Sequence, residues 1–305
     1  MPGWRATTHH TGIHFGAEAV YAVGLTRSRG RLSLAYCSAA ALEKAPRLPQ
    51  DLADEDARRG LAGALRELRD LGLPRGRPYL PLGGPATILR RRPVLPGAEA
   101  PSRDHLRWEA GQLLGDDLDD YVVDYLVTRR HGFVAAAHRE LLARWNTLCE
   151  ESGVDAPGFD MASFALCHAL EGSRPSAAEG VDVIVHGEAG QARAVLLRAG
   201  EYEAEWVWSA DGSGGDGLAG HLRQMLEEEL GEEPPRALWL SGPEGPAHVE
   251  GLAGLADSVA LLDPFSGLAR RPEASRGLER SGRPPGAFAV AAGLAYRSTL
   301  EAGTR

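Results

Sequence analysis

Three apolar runs open the chain, Thr11–Gly16, Val20–Leu25 and Leu32–Cys37, and the last two are separated by Ser28-Arg29-Gly30. Short runs rich in β-branched and aromatic residues between such turns predict strand, turn, strand, turn, strand. From Asp51 to Gly72 the period changes. Leu61, Leu65, Leu68 and Leu71 recur at three and four residues, which predicts an amphipathic helix closed by Gly72 and Pro74, with a short strand at Arg77–Leu82 after it. Near Ala86 the character shifts again. Ile88–Pro93 is basic and extended, and Ser102 can cap a helix with Leu106, Ala110, Leu113 and Leu114 on one face. Strands are expected at Tyr121–Val127 and Gly132–Ala137, then a helix carrying Leu141, Leu142, Trp145, Leu148 and Cys149 and stopped by Gly153.

After Gly158-Phe159-Asp160 the pattern predicts a helix over Met161–Leu170 and a Gly/Ser/Pro/Ala linker over Glu171–Gly180. The opening pattern then returns as Val181–His186, Ala192–Arg198 and Glu203–Trp208, followed by Gly-rich Ser209–Gly217 and a helix with Leu218, Leu222, Met225, Leu226 and Leu230 on one side. Strands are expected at Arg236–Ser241 and near Ser258–Leu262, with a loop at Gly242–Gly251 between them. A basic, mobile stretch at Ala269–Pro285 and a closing helix over Ala287–Thr299 complete the chain. A meander that occurs twice, each time followed by helices, predicts an α/β protein of two lobes with mixed sheets. The boundaries read as 1–85 for the first part of lobe 1, 86–153 for an inserted subdomain, 154–176 for a return to lobe 1, and 177–305 for a reduced lobe 2.

Composition narrows the function. At 305 residues with 43% hydrophobic and 25% charged positions, the chain has material for more than one core. A formal net charge of −9 opposes direct binding to nucleic acid or anionic lipid. Cys37, Cys149 and Cys167 are odd in number, lack ligand spacing, and read as reduced structural thiols. No run approaches the ~18 apolar residues of a membrane span, and Met1–His14 lacks the apolar core of a signal peptide. The expectation is a cytoplasmic protein that reaches a membrane only through a partner.

Several strings, in order, resemble the PilM family of type IV pilus assembly, within the actin-like (ribonuclease H-like) ATPase superfamily. Gly12-Ile13-His14-Phe15-Gly16 with Val20-Tyr21-Ala22-Val23 resembles its first phosphate loop. Leu106-Arg107-Trp108-Glu109-Ala110 and Tyr121–Tyr125 resemble its extra subdomain, and Phe133–Leu141 with Gly153-Val154 and Phe159-Asp160 the crossing back into lobe 1. Leu240-Ser241-Gly242, Leu262-Asp263-Pro264-Phe265 and Ala287–Ala295 match its adenosine-loop region, Asn-Pro-Phe-like segment and final helix. Only one helix fits between Trp208 and Arg236, where PilM proteins carry a further small subdomain. That makes the chain more similar to MshI, the relative serving mannose-sensitive pili, or to the cytoplasmic part of the secretion protein GspL.

The resemblance implies a nucleotide between the lobes, held by glycine turns at Gly12, Gly16, Gly187, Gly190, Gly242 and Gly245. These turns also have a plainer reading as hairpin and cap positions. His14 stands where the family carries an aspartate, and Val185-His186-Gly187 replaces its second acidic loop. Imidazole is a poor substitute for the hard oxygen that magnesium prefers. The expectation is a pseudo-ATPase with no catalytic residue, no metal and at most a vestigial ATP or ADP site. His9, His10, His14 and His186 have no standard metal-cluster spacing. The resemblance further implies a scaffold whose groove, between lobe 1 and the insertion, takes the N-terminal cytoplasmic tail of a PilN-like inner-membrane protein. Arg90, Arg91, Arg92 and Trp108 are the candidate groove residues, although Trp108 on an apolar helix face also reads as core. The alternatives are an active ATPase or small-molecule kinase using Asp160, Asp182, Asp211 and Asp216, or a GspL-like scaffold of type II secretion.

Overall fold

The computed structural model describes residues 8–84, 87–93, 102–174, 179–209, 217–231 and 233–303. The strands are β1 (Thr8–Phe15), β2 (Ala19–Ser28), β3 (Arg31–Ala41), β4 (Pro78–Leu82), β5 (Thr87–Pro93), β6 (Tyr121–Val127) and β7 (His131–His138), then β8 (Gly158–Met161), β9 (Val181–Glu188), β10 (Gln191–Arg198), β11 (Glu201–Ser209), β12 (Ala237–Ser241), β13 (Val259–Leu261) and β14 (Ala269–Arg270). The helices are α1 (Glu55–Asp70), α2 (Arg103–Leu114), α3 (Arg139–Ser152), α4 (Ala162–Ser173), α5 (Gly217–Leu230), α6 (Gly245–His248), α7 (Pro272–Ser281) and α8 (Ala289–Gly303).

The predicted repeat is a repeat of topology. One sheet runs β14-β3-β2-β1-β4-β8 and the other β11-β10-β9-β12-β13. In each, an antiparallel meander is extended beyond its first strand by parallel strands, β4 on β1 and β12 on β9. The third sheet, β5-β7-β6, is antiparallel and carries α2 on one face through Leu106, Ala110 and Val134.

Helices cover the large sheets as their patterns require. Asp54 caps α1 by accepting the Ala57 N–H at 2.8 Å, and Leu61, Leu65 and Leu68 bury against Ile13, Val20 and Leu80 on one face of the first sheet. α8, apolar around most of its surface, packs Ala291, Ala292 and Ala295 against Tyr21 and Val23 on the opposite face. α4 turns Ala165, Leu166 and Ala169 toward Ile184, Val195 and Leu197 of the second sheet and also meets Val290 and Leu294 of α8. The two helices approach so closely that a Cβ on Gly293 would overlap the Ala165 carbonyl oxygen.

Two expectations change. The basic stretch 269–285 is ordered: β14 pairs with β3, and Pro272 starts α7, whose Ala274 and Gly277 bury against the strand at Cys37. Its charges line the outer face and conceal a narrow apolar seam. Trp108 is 60% exposed, because Leu106 and Ala110 face the sheet and the position between them points away.

Gly293→Ala forces α4 and α8 apart and is expected to cost about 2–3 kcal/mol. The urea midpoint should fall accordingly; an unchanged midpoint would contradict the close crossing.

Candidate functional site

Where the two meanders meet, three strand ends converge. β1 ends at Phe15 in a turn closed by the Gly16 N–H donating to Ala19 O at 3.0 Å. β9 ends at Gly187-Glu188, before the Ala189-Gly190 turn, whose residues adopt φ values of 50° and 69°. β12 ends at Ser241, in register with His186, before Gly242 leads into α6.

His14, on β1, places Nε2 3.0 Å from Oε2 of Glu188, on β9. The other carboxylate oxygen, Oε1, accepts the Ala17 N–H at 3.1 Å. A second-lobe carboxylate therefore occupies the mouth of the first-lobe turn, and a Cβ on Gly16 would overlap that oxygen. His186 directs Nε2 to 3.8 Å from Glu188 Oε2, while its Nδ1 lies 3.0 Å from Ser241 Oγ. The two imidazoles sit edge to face, 6.0 Å between centroids. The side chains of His14, His186 and Glu188 are only 13%, 8% and 15% exposed.

Electrostatics follow from this burial. Desolvation pushes the Glu188 carboxyl upward, but His14, through its charge and its 3.0 Å hydrogen bond, outweighs that with help from the nearby His186 and holds the group far below the usual carboxylate range. Burial lowers His186, which keeps its imidazole neutral near pH 7. Burial, with Glu188 nearby, raises the Tyr21 phenol to about 12. The Tyr21 hydroxyl, His14 Nδ1 and His186 Nε2 are buried without hydrogen-bond partners.

The six candidate glycines divide. Gly16, Gly187 and Gly242 line this junction, with a Cβ on Gly242 overlapping the Gly187 carbonyl oxygen. The Gly190 N–H donates to Glu244 Oε1 at 3.2 Å, and Gly245 is buried at the start of α6. Gly12 faces α8 instead, where a Cβ would lie 2.7 Å from Ala295 N. Of the candidate aspartates, Asp182 pairs with Arg236 and lies 3.4 Å from Trp239 Nε1. It stands four residues before His186, about 13 Å along the strand. Asp160 lies 3.6 Å from His168 Nε2 and 3.5 Å from Arg297 Nε. Asp211 and Asp216 fall outside the described residues.

The arginine triplet also separates. Arg91 points to the face of β5 that meets the second lobe and donates to Glu203 O at 2.6 Å. Arg90 and Arg92 take the α2 face, where Arg92 pairs with Glu109 at 2.6 Å beside Trp108. The opposite face of β6 exposes Val122 and Leu126. Leu126 is the register partner of Phe133, which packs on Tyr79, Phe164 and Tyr202, so this face looks toward the lobes.

Sequence reasoning passed over Glu188 and named Tyr21 and Ser241 only within strings that resemble the family's loops. A signal for Glu188 existed: on a strand the period of two places it on the same face as His186. Ser241 becomes relevant only through the pairing of β12 with β9.

No protein-family model matches the sequence, and no curated protein matches it. Among solved structures, a chain of a PilM–PilN type IV pilus biogenesis complex aligns with 22% identity over 95% of this chain and 98% of that one, at a TM-score of 0.69. A Bacteroides thetaiotaomicron protein with an actin-like ATPase fold aligns with 9% identity over 85% and 92% at TM-score 0.49. The cytoplasmic domain of EpsL, an inner-membrane component of the Vibrio cholerae type II secretion system, aligns with 13% identity over 96% and 95% at 0.48. The last two likenesses are too distant to carry weight. The chain is PilM-like in fold, sharing the architecture of that chain of the PilM–PilN complex across nearly its whole length.

His168 offers a pH test of the Asp160 cluster. Burial alone would lower its pKa, but the carboxylates of Asp160 and Glu171, 3.6 and 3.8 Å away, raise it to about 9. A histidine raised in the folded state contributes stability that is full below its unfolded pKa, ~6.5, and is lost as pH climbs toward the folded value. His168→Asn should cost on the order of 3 kcal/mol at pH 6 and much less at pH 10, read from denaturant midpoints. Equal losses at both pH values would contradict the pairing.

Proposed function

We propose that this protein is a scaffold of type IV pilus biogenesis that holds a membrane partner's tail without hydrolysing nucleotide. The observation that carries the reading is the fold likeness to a chain of the PilM–PilN complex, which spans nearly the whole of both chains. The chain is cytoplasmic in this reading. Among the described residues no helix is long and apolar enough to cross a membrane, so contact with the inner membrane is made through the partner. The partner is a PilN-like protein with a short N-terminal cytoplasmic tail.

The junction supports the pseudo-ATPase half of the proposal. The turn that would offer backbone N–H groups to a phosphate already donates the Ala17 N–H to Glu188. A phosphate entering beside that ionised carboxylate meets a repulsion of about 4 kcal/mol per unit charge at 4 Å, for an effective dielectric near 20. The histidines supply no hard anionic oxygen for magnesium.

The inserted sheet supports the adaptor half. β6 is an end strand of its sheet, and Val122, Leu126 and Val127 are exposed along it. An unpaired strand edge binds an extended peptide through main-chain hydrogen bonds, and alternate side chains select it. In this reading the tail adds beside β6 on the side that faces the lobes, between lobe 1 and the insertion.

Calorimetric titration with ATP and magnesium, and then with the tail peptide of the PilN-like protein, tests both halves. The expected result is 1:1 peptide binding with no nucleotide present, weakened at least ~10-fold by Leu126→Asp and little changed by Trp108→Ala. Magnesium-dependent ATP binding would restore the ATPase or kinase reading; equal affinity in the Leu126 variant would move the tail off β6.

A further inference from the structure

The fold likeness says nothing about why a buried histidine, a second, half-buried one and a half-buried glutamate share one point between the lobes. His14 Nε2 and Glu188 Oε2 are 3.0 Å apart, His186 Nε2 and Glu188 Oε2 3.8 Å, and all three atoms lie within 4.8 Å of one another. Tetrahedral coordination with bonds of ~2.0–2.1 Å separates donor atoms by roughly 3.3–3.4 Å. The three atoms need only small side-chain adjustments to reach that spacing.

His186 is the informative member. It is 7% exposed, and its Nε2 has no hydrogen-bond partner. If Nδ1 carries the proton and donates to Ser241 Oγ, Nε2 presents a lone pair to a carboxylate oxygen, an arrangement that is repulsive unless a cation lies between them. If Nε2 carries the proton, 3.8 Å is too far for a hydrogen bond. Neither tautomer satisfies the atom, and a metal ion does. Further groups are already placed as an outer shell. Ser241 lies beside the far nitrogen of His186, and the Ala17 N–H fixes the second oxygen of Glu188.

We propose that His14, His186 and Glu188 form a site for a borderline transition-metal ion of the zinc type, bound between the two lobes. Two imidazoles and one carboxylate suit zinc, cobalt or nickel and disfavour magnesium, which requires a cage of oxygens. The protein provides three ligands, and water or a group from a partner takes the fourth position. Because His14 comes from the first lobe and the other two ligands from the second, the ion ties the lobes together. Binding through His14 Nε2 places the ring proton on Nδ1, which has no hydrogen-bond partner at present, so a neutral His14 changes tautomer as its lone pair turns to the metal. The proposal does not depend on the pilus reading.

The test uses the full chain, stripped with a chelator and titrated with Zn²⁺ against a chromogenic competitor, and separately with Co²⁺ followed by visible absorbance. The expected result is one ion per chain, the absorbance of tetrahedral cobalt, and no competition from excess Mg²⁺. Glu188→Gln and His14→Ala should each weaken binding at least ~10-fold, while His105→Ala, on the exposed face of α2, changes nothing. His14→Cys keeps a zinc ligand and should retain the ion, adding a sulfur-to-cobalt charge-transfer band; this decides the matter even where another variant fails to fold. Absence of stoichiometric binding in the parent, or a bound cobalt spectrum unaltered by His14→Cys, would falsify the site.

Discussion

The contact on which the architecture depends is the crossing of α4 and α8. Neither helix belongs wholly to one layer. α8 fills the face of the first sheet with alanines, α4 covers the second sheet with Ala165, Leu166 and Ala169, and the two meet with no side chain between Gly293 and the Ala165 carbonyl. The absence of side-chain bulk there brings β1 and β9 close enough for their ends to share a junction. Larger residues at the crossing would widen the helix spacing by up to about 2 Å, enough to break the 3.0 Å contact between His14 and Glu188.

That closeness gives the junction its chemistry. With the strand ends in contact, Glu188 reaches out of its own hairpin and accepts from the other lobe's turn. A carboxylate that would be unremarkable on a surface becomes a buried anion stabilised by two imidazoles and one amide. The pairing is rewarding only when all partners are present, since a buried charge that loses its counterpart costs several kcal/mol. The junction thus favours one closed arrangement of the lobes over a range of partly open ones.

Much of this was legible in the chain. The two meanders showed themselves through period-two apolar runs and through turns such as Arg29-Gly30 and Ala199-Gly200, whose residues adopt positive φ. α1 was visible because its leucines repeat at helical spacing. α7 was not, because its buried positions, Ala274 and Gly277, are small and its remaining surface is charged. Trp108 was ambiguous for a general reason: a large apolar residue announces that it prefers burial, and only the fold shows whether anything covers it. At the junction, the glycines and histidines were legible from their resemblance to a phosphate-binding pattern. The role of Glu188 needed the distance between two lobes, which no local pattern contains.

The open edge of β6 carries a consequence for the life of the protein in a cell. Among the described residues no strand pairs with the outer edge of β6, where Val122, Leu126 and Val127 are exposed and the Tyr125 N–H donates to Asp124 Oδ1, and such an edge is a template for an extended segment, including the same strand of a second copy. Natural edges are usually blunted by lysine, proline or a bulge, and Asp124 is the only charged residue along this strand. Protein at high concentration with this edge uncovered is therefore exposed to strand-to-strand self-association, and the single charge of Asp124 is what opposes it.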